Sequence, residues 1–193
     1  MEPDSIITQL NQIAAISPEA ASDFLGLCEE VAVERNDYLV RQGERTKYCY
    51  FLKEGVVRVF FNKEGNEYNK TFFIPGMFPT ALTALVSGKP SELGFQALEN
   101  SLLVRFSYSR FRALFDQHRC LEKLLLRILE LEWIKKERHD IQMVLNDATT
   151  NYLIFREEYP GLENRIAQYH IASYLGITPI QLSRIRAQLV KNH

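Results

Sequence analysis

The sequence predicts an α+β chain in three parts: an antiparallel β-roll behind short N-terminal helices, one long helix, and a C-terminal helix-turn-helix. Three observations carry this. From Val31 the apolar residues recur every second position, with glycine-bearing turns between the short runs. From Arg110 to Leu145 a helical pattern continues with no Gly or Pro inside it, and from Tyr169 to Leu189 two short helical patterns flank Gly176. The parts are expected at residues 1–109, 110–145 and 146–193, with the roll at about 31–107.

Composition sets the outer bounds. The 193 residues are 46% apolar and 11% aromatic, ample for a packed core. Met1-Glu-Pro-Asp-Ser5 is acidic and no run of eighteen apolar residues occurs, so neither a secretory signal nor a membrane span is expected and the chain is placed in the cytoplasm. The net charge of −1 argues against a protein that coats nucleic acid over its whole surface. From Gly161 onward, however, Arg165, Arg184, Arg186 and Lys191 stand against Glu163 alone, a net +3 on the tail. Cys28, Cys49 and Cys120 have no C-x-x-C spacing and read as small buried thiols. An iron–sulfur cluster needs about four thiolates, and the four histidines show no ligand spacing, so no metal site is expected. No nucleophile with its base and no paired carboxylates stand out either, and no enzyme is expected.

In chain order, Ile6, Leu10, Ile13 and Ala14 form one helical stripe, and Pro18-Glu-Ala-Ala opens a second helix through Phe24 and Leu27. Strands follow around Val31–Val33, Tyr38–Val40, Tyr48–Leu52, Val57–Phe61 and Tyr68–Ile74. They are separated by Gln42-Gly-Glu44, Glu54-Gly55, Asn62-Lys-Glu-Gly-Asn66 and Pro75-Gly76. The long helix, roughly 50 Å if it runs from Arg110 to Leu145, carries two apolar stripes. One is Leu121, Leu124, Ile128, Leu131, Ile134, Arg138, Ile141 and Leu145; the other is Leu126, Leu129 and Trp133. A single heptad seam needs only one stripe, so one face is expected against the roll and the other against a second copy of the chain. The alternative is a monomer that buries both faces internally. Asn146-Asp147 then caps a helix through Tyr152, Leu153 and Phe155 that ends at Tyr159-Pro-Gly161.

The last stretch looks like a DNA-reading device by its local chemistry, although helix-turn-helix geometry also occurs as plain structure. Gly176 supplies the positive φ of a sharp stop, and Thr178-Pro-Ile-Gln181 restarts a helix with a hydroxyl cap, an N1 proline and a glutamine three residues on. On that helix Leu182, Ile185 and Leu189 pack, while Ile180, Arg184, Ala187 and Lys191 face outward. Such a helix fits the major groove, with Arg184 able to make a bidentate contact to guanine. Thr178, Gln181 and Ser183 join this reading set. Arg165, Tyr169, His170 and Ser173, at the start of the pair, are candidates to clamp phosphate, although Tyr169 reads more readily as bracing.

Tyr38-Leu-Val-Arg-Gln-Gly-Glu44, Tyr50-Phe-Leu-Lys-Glu-Gly-Val-Val-Arg-Val-Phe60 and Pro75-Gly-Met-Phe78, followed by a long helix and a helix-turn-helix, resemble the catabolite-activator/fumarate-nitrate-regulator family of bacterial transcription factors. Ile171-Ala-Ser-Tyr-Leu-Gly-Ile-Thr-Pro with Leu182-Ser-Arg-Ile-Arg186 is most similar to the Bacteroidetes-type branch. The resemblance implies an N-terminal β-roll of cyclic nucleotide-binding type, a dimerisation helix and a C-terminal winged helix-turn-helix. It implies double-stranded DNA, a second copy of the chain and RNA polymerase as partners. With few residues after Leu189, the wing is expected near residues 160–167.

Departures from the family pattern shape the functional expectation. Nucleotide-binding members follow the positions matched by Gly76 and Phe78 with Gly-Glu-Leu and later carry Arg-Ser or Arg-Ala; here Thr80-Ala81-Leu82 and Ser91-Glu92 stand there. The ribose acceptor and the phosphate-neutralising arginine are both missing, at roughly 1.5 to 3 kcal/mol for each charged hydrogen bond lost. Cyclic AMP is therefore not expected as a tight ligand. Lys89, in the Ser87-Gly-Lys-Pro90 turn, reads as a solvated loop residue rather than a replacement. Either a different, uncharged effector occupies a pocket of Phe73, Gly76, Phe78, Thr80, Ala81, Leu82, Ser91, Glu92 and Leu93, or apolar side chains fill it. On the reading helix the family often has an acidic residue where Ile180 stands. Isoleucine can touch a thymine methyl but cannot accept from cytosine, so the family's TGTGA-like half-site is not expected. A dimer would read a palindrome with half-sites about 34 Å apart. The competing reading is a sensory or protein-interaction module whose reading helix has lost DNA affinity; a steep salt dependence of duplex binding separates the two.

Overall fold

The computed structural model describes residues 4–191. Two N-terminal helices, α1 (Asp4–Ile13) and α2 (Pro18–Leu25), precede seven strands: β1 (Glu29–Val33), β2 (Tyr38–Val40), β3 (Tyr48–Glu54), β4 (Val57–Lys63), β5 (Asn66–Phe73), β6 (Gly94–Ala97) and β7 (Ser101–Ser107). A short α3 (Leu82–Ser87) lies between β5 and β6. The strands form two antiparallel sheets, β1-β7-β3 and β2-β6-β4-β5, closed over Val40, Leu52, Val57, Val59, Phe95 and Leu103. This is the antiparallel roll expected from the period-two pattern. Its tightest turn is at Gly55, with φ +98, where a Cβ would fall 2.1 Å from the Ser101 hydroxyl. Only glycine fits there.

The helices that follow distribute over both outer faces of the roll. α4 (Tyr108–Ala113), a 3-10 turn (Leu114–Asp116) and the start of α5 (Arg119–Leu145) join α1 and α2 over the β1-β7-β3 sheet. Phe24, Phe106 and Phe111 meet edge to face at the centre of this layer. On the outer face of the other sheet lie α6 (Ala148–Glu158), a 3-10 turn (Leu162–Asn164), α7 (Gln168–Tyr174) and α8 (Pro179–Lys191). There Val56, Phe72 and Leu98 of the roll share one apolar cluster with Tyr152, Phe155, Tyr159, Tyr174 and Leu182.

Three expectations are corrected. The long helix begins at Arg119, not Arg110, and is about 40 Å long. Ser107 caps α4 separately, Phe111 and Phe115 turn into the N-terminal layer, and His118, 2.7 Å from Asp23, bends the chain before α5 starts. A pattern free of Gly and Pro conceals this break because tertiary contacts impose it. Second, the longer stripe is covered only at its start and the shorter one not at all. Leu121 and Leu124 are buried and Ile128 half-buried, but Leu131, Ile134, Ile141 and Leu145 are exposed, as are Leu126, Leu129 and Trp133. The chain does not bury both faces internally. Third, residues 160–167 form no wing: Leu162 and Ile166 enter the apolar cluster through the 3-10 turn, and no strand follows β7 among the described residues.

Candidate nucleic-acid interface and effector cassette

The helix-turn-helix is built by the local signals that predict it. Gly176 has φ +66, and the Gly176 and Ile177 amides return to the Ser173 and Ala172 carbonyls to stop α7. Thr178 and Gln181 form a capping box. The Gln181 amide donates to Thr178 Oγ1 at 3.2 Å, and the Thr178 amide donates to Gln181 Oε1 at 2.9 Å. These two side chains are thereby engaged in holding the helix start. The remaining outward residues of α8, Ile180, Ser183, Arg184, Ala187 and Lys191, are all exposed, with Ile180 at 66%. Leu182 and Ile185 are buried on the opposite face.

The residues expected to clamp phosphate are placed differently. His170 is only 5% exposed and packs against the roll. Asn69 of β5 donates from Nδ2 to the His170 carbonyl at 3.0 Å and lies 3.3 Å from Nδ1. Arg58 of β4 reaches the same Nδ1 at 3.3 Å, and because a guanidinium only donates, that nitrogen accepts. Burial, then the Arg58 charge, lower the imidazole pKa to about 4, so the ring is neutral. Ser173 is taken as well: its hydroxyl accepts from the Asn69 amide at 2.9 Å and donates to the Glu67 carbonyl at 2.8 Å. Arg58 is fixed in turn by Glu67 at 2.6 Å and by Gln96 at 2.6 and 2.8 Å. Arg165 pairs with Glu99 at 2.5 Å and with the Gly55 carbonyl. His170, Ser173 and Arg165 are therefore docking residues, Arg165 from an exposed position; Tyr169 is exposed as well, with its ring 4.1 Å from the His170 ring.

Sequence reasoning missed Arg58, Glu67 and Asn69. Nothing local marks them, because strand alternation places polar residues on an outer face whether or not a helix later covers it. Arg186, counted in the basic tail, lines a cavity of about 290 Å³ with Tyr152, Arg156, Glu163, Leu189 and Val190. Of the tail cations, Arg184 and Lys191 are left on the exposed outward face of α8.

The effector cassette does not converge on one space. Phe73, Ala81 and Leu93 enter the core between the sheets, whereas Phe78 faces the other way and packs on Phe51 at 5.1 Å beside the N-terminal helices. Phe78 is thus not a lining residue alongside them. The Gly76 amide donates to the Leu52 carbonyl, and a Cβ at Gly76 would lie 3.0 Å from the Gln9 amide of α1. Thr80 Oγ1 accepts from the Tyr50 amide at 3.0 Å, the Ser91 hydroxyl donates to the Leu93 carbonyl at 2.8 Å, and the Thr80 and Leu82 amides are bonded within the turn. Leu82 is half-buried at the start of α3; Glu92 and Lys89 are exposed. The Gly76, Thr80 and Leu82 amides and the Ser91 hydroxyl are thus committed to the chain itself. A second cavity of about 350 Å³, lined by Tyr38, Arg41, Gln42, Phe60 and Asn62, includes no cassette residue.

These features define a class: a cyclic nucleotide-binding-type roll joined through a long helix to a helix-turn-helix. Residues 30–118 match the cyclic nucleotide-binding domain family. FixK2 from Bradyrhizobium japonicum has the same fold, with a TM-score of 0.72 at 19% identity over 86% of this chain and 85% of that one. The c-di-GMP responsive global regulator CLP of Xanthomonas campestris gives 0.71 at 15% identity over 91% and 93%. The catabolite activator protein of Thermus thermophilus gives 0.56 at 18% over 95% and 87%. No curated protein sequence matches the chain significantly. No helix among the described residues is long and apolar enough to cross a membrane.

Proposed function

We propose that the protein is a DNA-binding transcription regulator of the catabolite-activator/fumarate-nitrate-regulator kind, acting as a homodimer on a palindromic site. The observation that carries this reading is the exposed outward face of α8, with Ile180, Ser183, Arg184, Ala187 and Lys191 uncovered while Leu182 and Ile185 on the opposite face are buried in the apolar cluster. The uncovered apolar side of α5 supports a second copy as its partner, since Trp133 at 67% exposure and its neighbours gain most by burial against an identical helix. RNA polymerase is the natural further partner of such a dimer. Cyclic AMP is not a tight ligand in this reading, because the cassette lacks both the ribose-binding glutamate and the phosphate-binding arginine, and the Gly76, Thr80 and Leu82 amides bond within the chain. An effector that gates the protein would be uncharged; sub-micromolar cyclic nucleotide binding by calorimetry would overturn this.

The deciding experiment is retention of a random duplex library by the purified protein at two salt concentrations. A palindrome enriched with a steep salt dependence is expected. Retention that is sequence-blind, or none at all, would leave the fold as a protein-interaction module instead.

A further inference from the structure

The polar cluster between β4, β5 and α7 joins the roll to the helix-turn-helix through several directional bonds. Arg58 and Asn69 are buried and fully bonded, and the cluster ties together three backbone groups directly: the Asn69 amide, the Glu67 carbonyl and the His170 carbonyl. Each bond runs between a main-chain group and a short side chain, Ser173 or Asn69, which leaves little length to absorb a shift. His170, Ser173 and Tyr174 form one stripe of α7, turned to the sheet. The outward residues of α8 lie on another side and remain exposed. The contact therefore holds the reader without covering its reading face.

We infer that Arg58, Glu67, Asn69, His170 and Ser173 are positioning residues that fix the separation and angle of the two α8 helices in the dimer, and so set which half-site spacing the protein accepts. This rests on the DNA-reading proposal above. The apolar cluster around Phe72 supplies contact area, but apolar surfaces slide over one another at small cost; a satisfied polar network has one low-energy geometry. The demand on that geometry is severe. Half-sites must face the protein one duplex turn apart, and one extra base pair moves a half-site by about 3.4 Å and rotates it by roughly 35°. Without the network, each reader would be held to the dimer by the Asn146-Asp147 corner between α5 and α6, by the aromatic packing and by the more peripheral Arg165–Glu99 and Thr71–Tyr159 contacts.

The test uses the palindrome selected by the wild-type protein, with its central spacer shortened or lengthened by one and two base pairs. Affinity is read by anisotropy for the wild type, for Ser173→Ala and for Asn69→Ala/Ser173→Ala. The wild type is expected to lose about tenfold or more on the first altered spacer, a loss of the size of a mismatched base pair. Both variants should discriminate spacers several-fold less, while half-site sequence preference stays as in the wild type. A purely stabilising role would lower all affinities together and leave the spacer profile intact, and that result overturns the inference. A uniform rise in affinity would also overturn it, by showing that the docked state masks DNA binding. If the double variant fails to fold, Ser173→Ala, which removes one half-buried hydroxyl, carries the comparison. Wild-type protein that selects no duplex refutes the DNA-reading proposal itself, and the spacing role falls with it.

Discussion

His170 is neutral in the fold because the sheet buries it and Arg58 stands beside it, and this has a consequence for pH. Its pKa is about 4 folded against about 6.5 for an ordinary histidine. Between those values the unfolded chain holds the extra proton, so stability falls as pH drops through this window and is unaffected above it. From pH 7 to pH 5 the loss from this one group is about 2 kcal/mol. Urea midpoints of the wild type should fall accordingly, and the fall should be smaller by that amount in His170→Gln; equal slopes would place the titration elsewhere. At this scale, legibility followed the distance to the partner. Gly176, Thr178 and Gln181 were readable because their partners lie within a few residues. His170, Ser173 and Arg165 looked like free polar groups because Asn69, Glu67 and Glu99 lie tens to a hundred residues earlier in the chain. The cassette shows the same limit: the missing arginine could be read directly, but the turn of Phe78 toward the N-terminal helices could not.

Among the elements, α8 and α5 carry the functional predictions. Arg184 is exposed one turn after Ile180, so Arg184→Ala should cost about 1 to 3 kcal/mol on the selected duplex and relax preference at one position of each half-site. Competition binding against mismatched duplexes checks this, and unchanged affinity would remove Arg184 from base reading. On α5, Trp133→Ala should weaken self-association by about 2 kcal/mol, roughly 30-fold, as an aromatic anchor does; sedimentation equilibrium measures it directly. A variant as dimeric as the wild type would move the interface off this face. The β-roll was legible strand by strand because glycine turns and period-two runs are local signals. The start of α5 was not, because it is decided by Phe111, Phe115 and His118 meeting the N-terminal layer. The wing was expected from resemblance alone, and residues 160–167 instead serve the apolar cluster.

At the scale of the whole molecule, roll and helix-turn-helix are not separable bodies. Phe72 touches Phe155, Tyr159 and Tyr174 across the boundary, with ring centroids 5.6 to 6.0 Å apart. Phe72→Ala is expected to cost about 3 to 5 kcal/mol. Far-ultraviolet dichroism should still report one transition in the wild type; two transitions would show that the parts melt independently. The shared cluster also imposes an order on biosynthesis. Val56 and Phe72 leave the ribosome long before the helices that cover them, since about 80 to 110 residues separate Phe72 from its partners between Tyr152 and Leu182. At ordinary translation rates that interval is roughly 5 to 20 s. For that time the newly made roll presents a greasy, half-built surface with nothing of its own to close it. The nascent chain should therefore be a client for chaperones that shield exposed aromatic patches, and truncations that end before α6 should aggregate rather than behave as independent sensors.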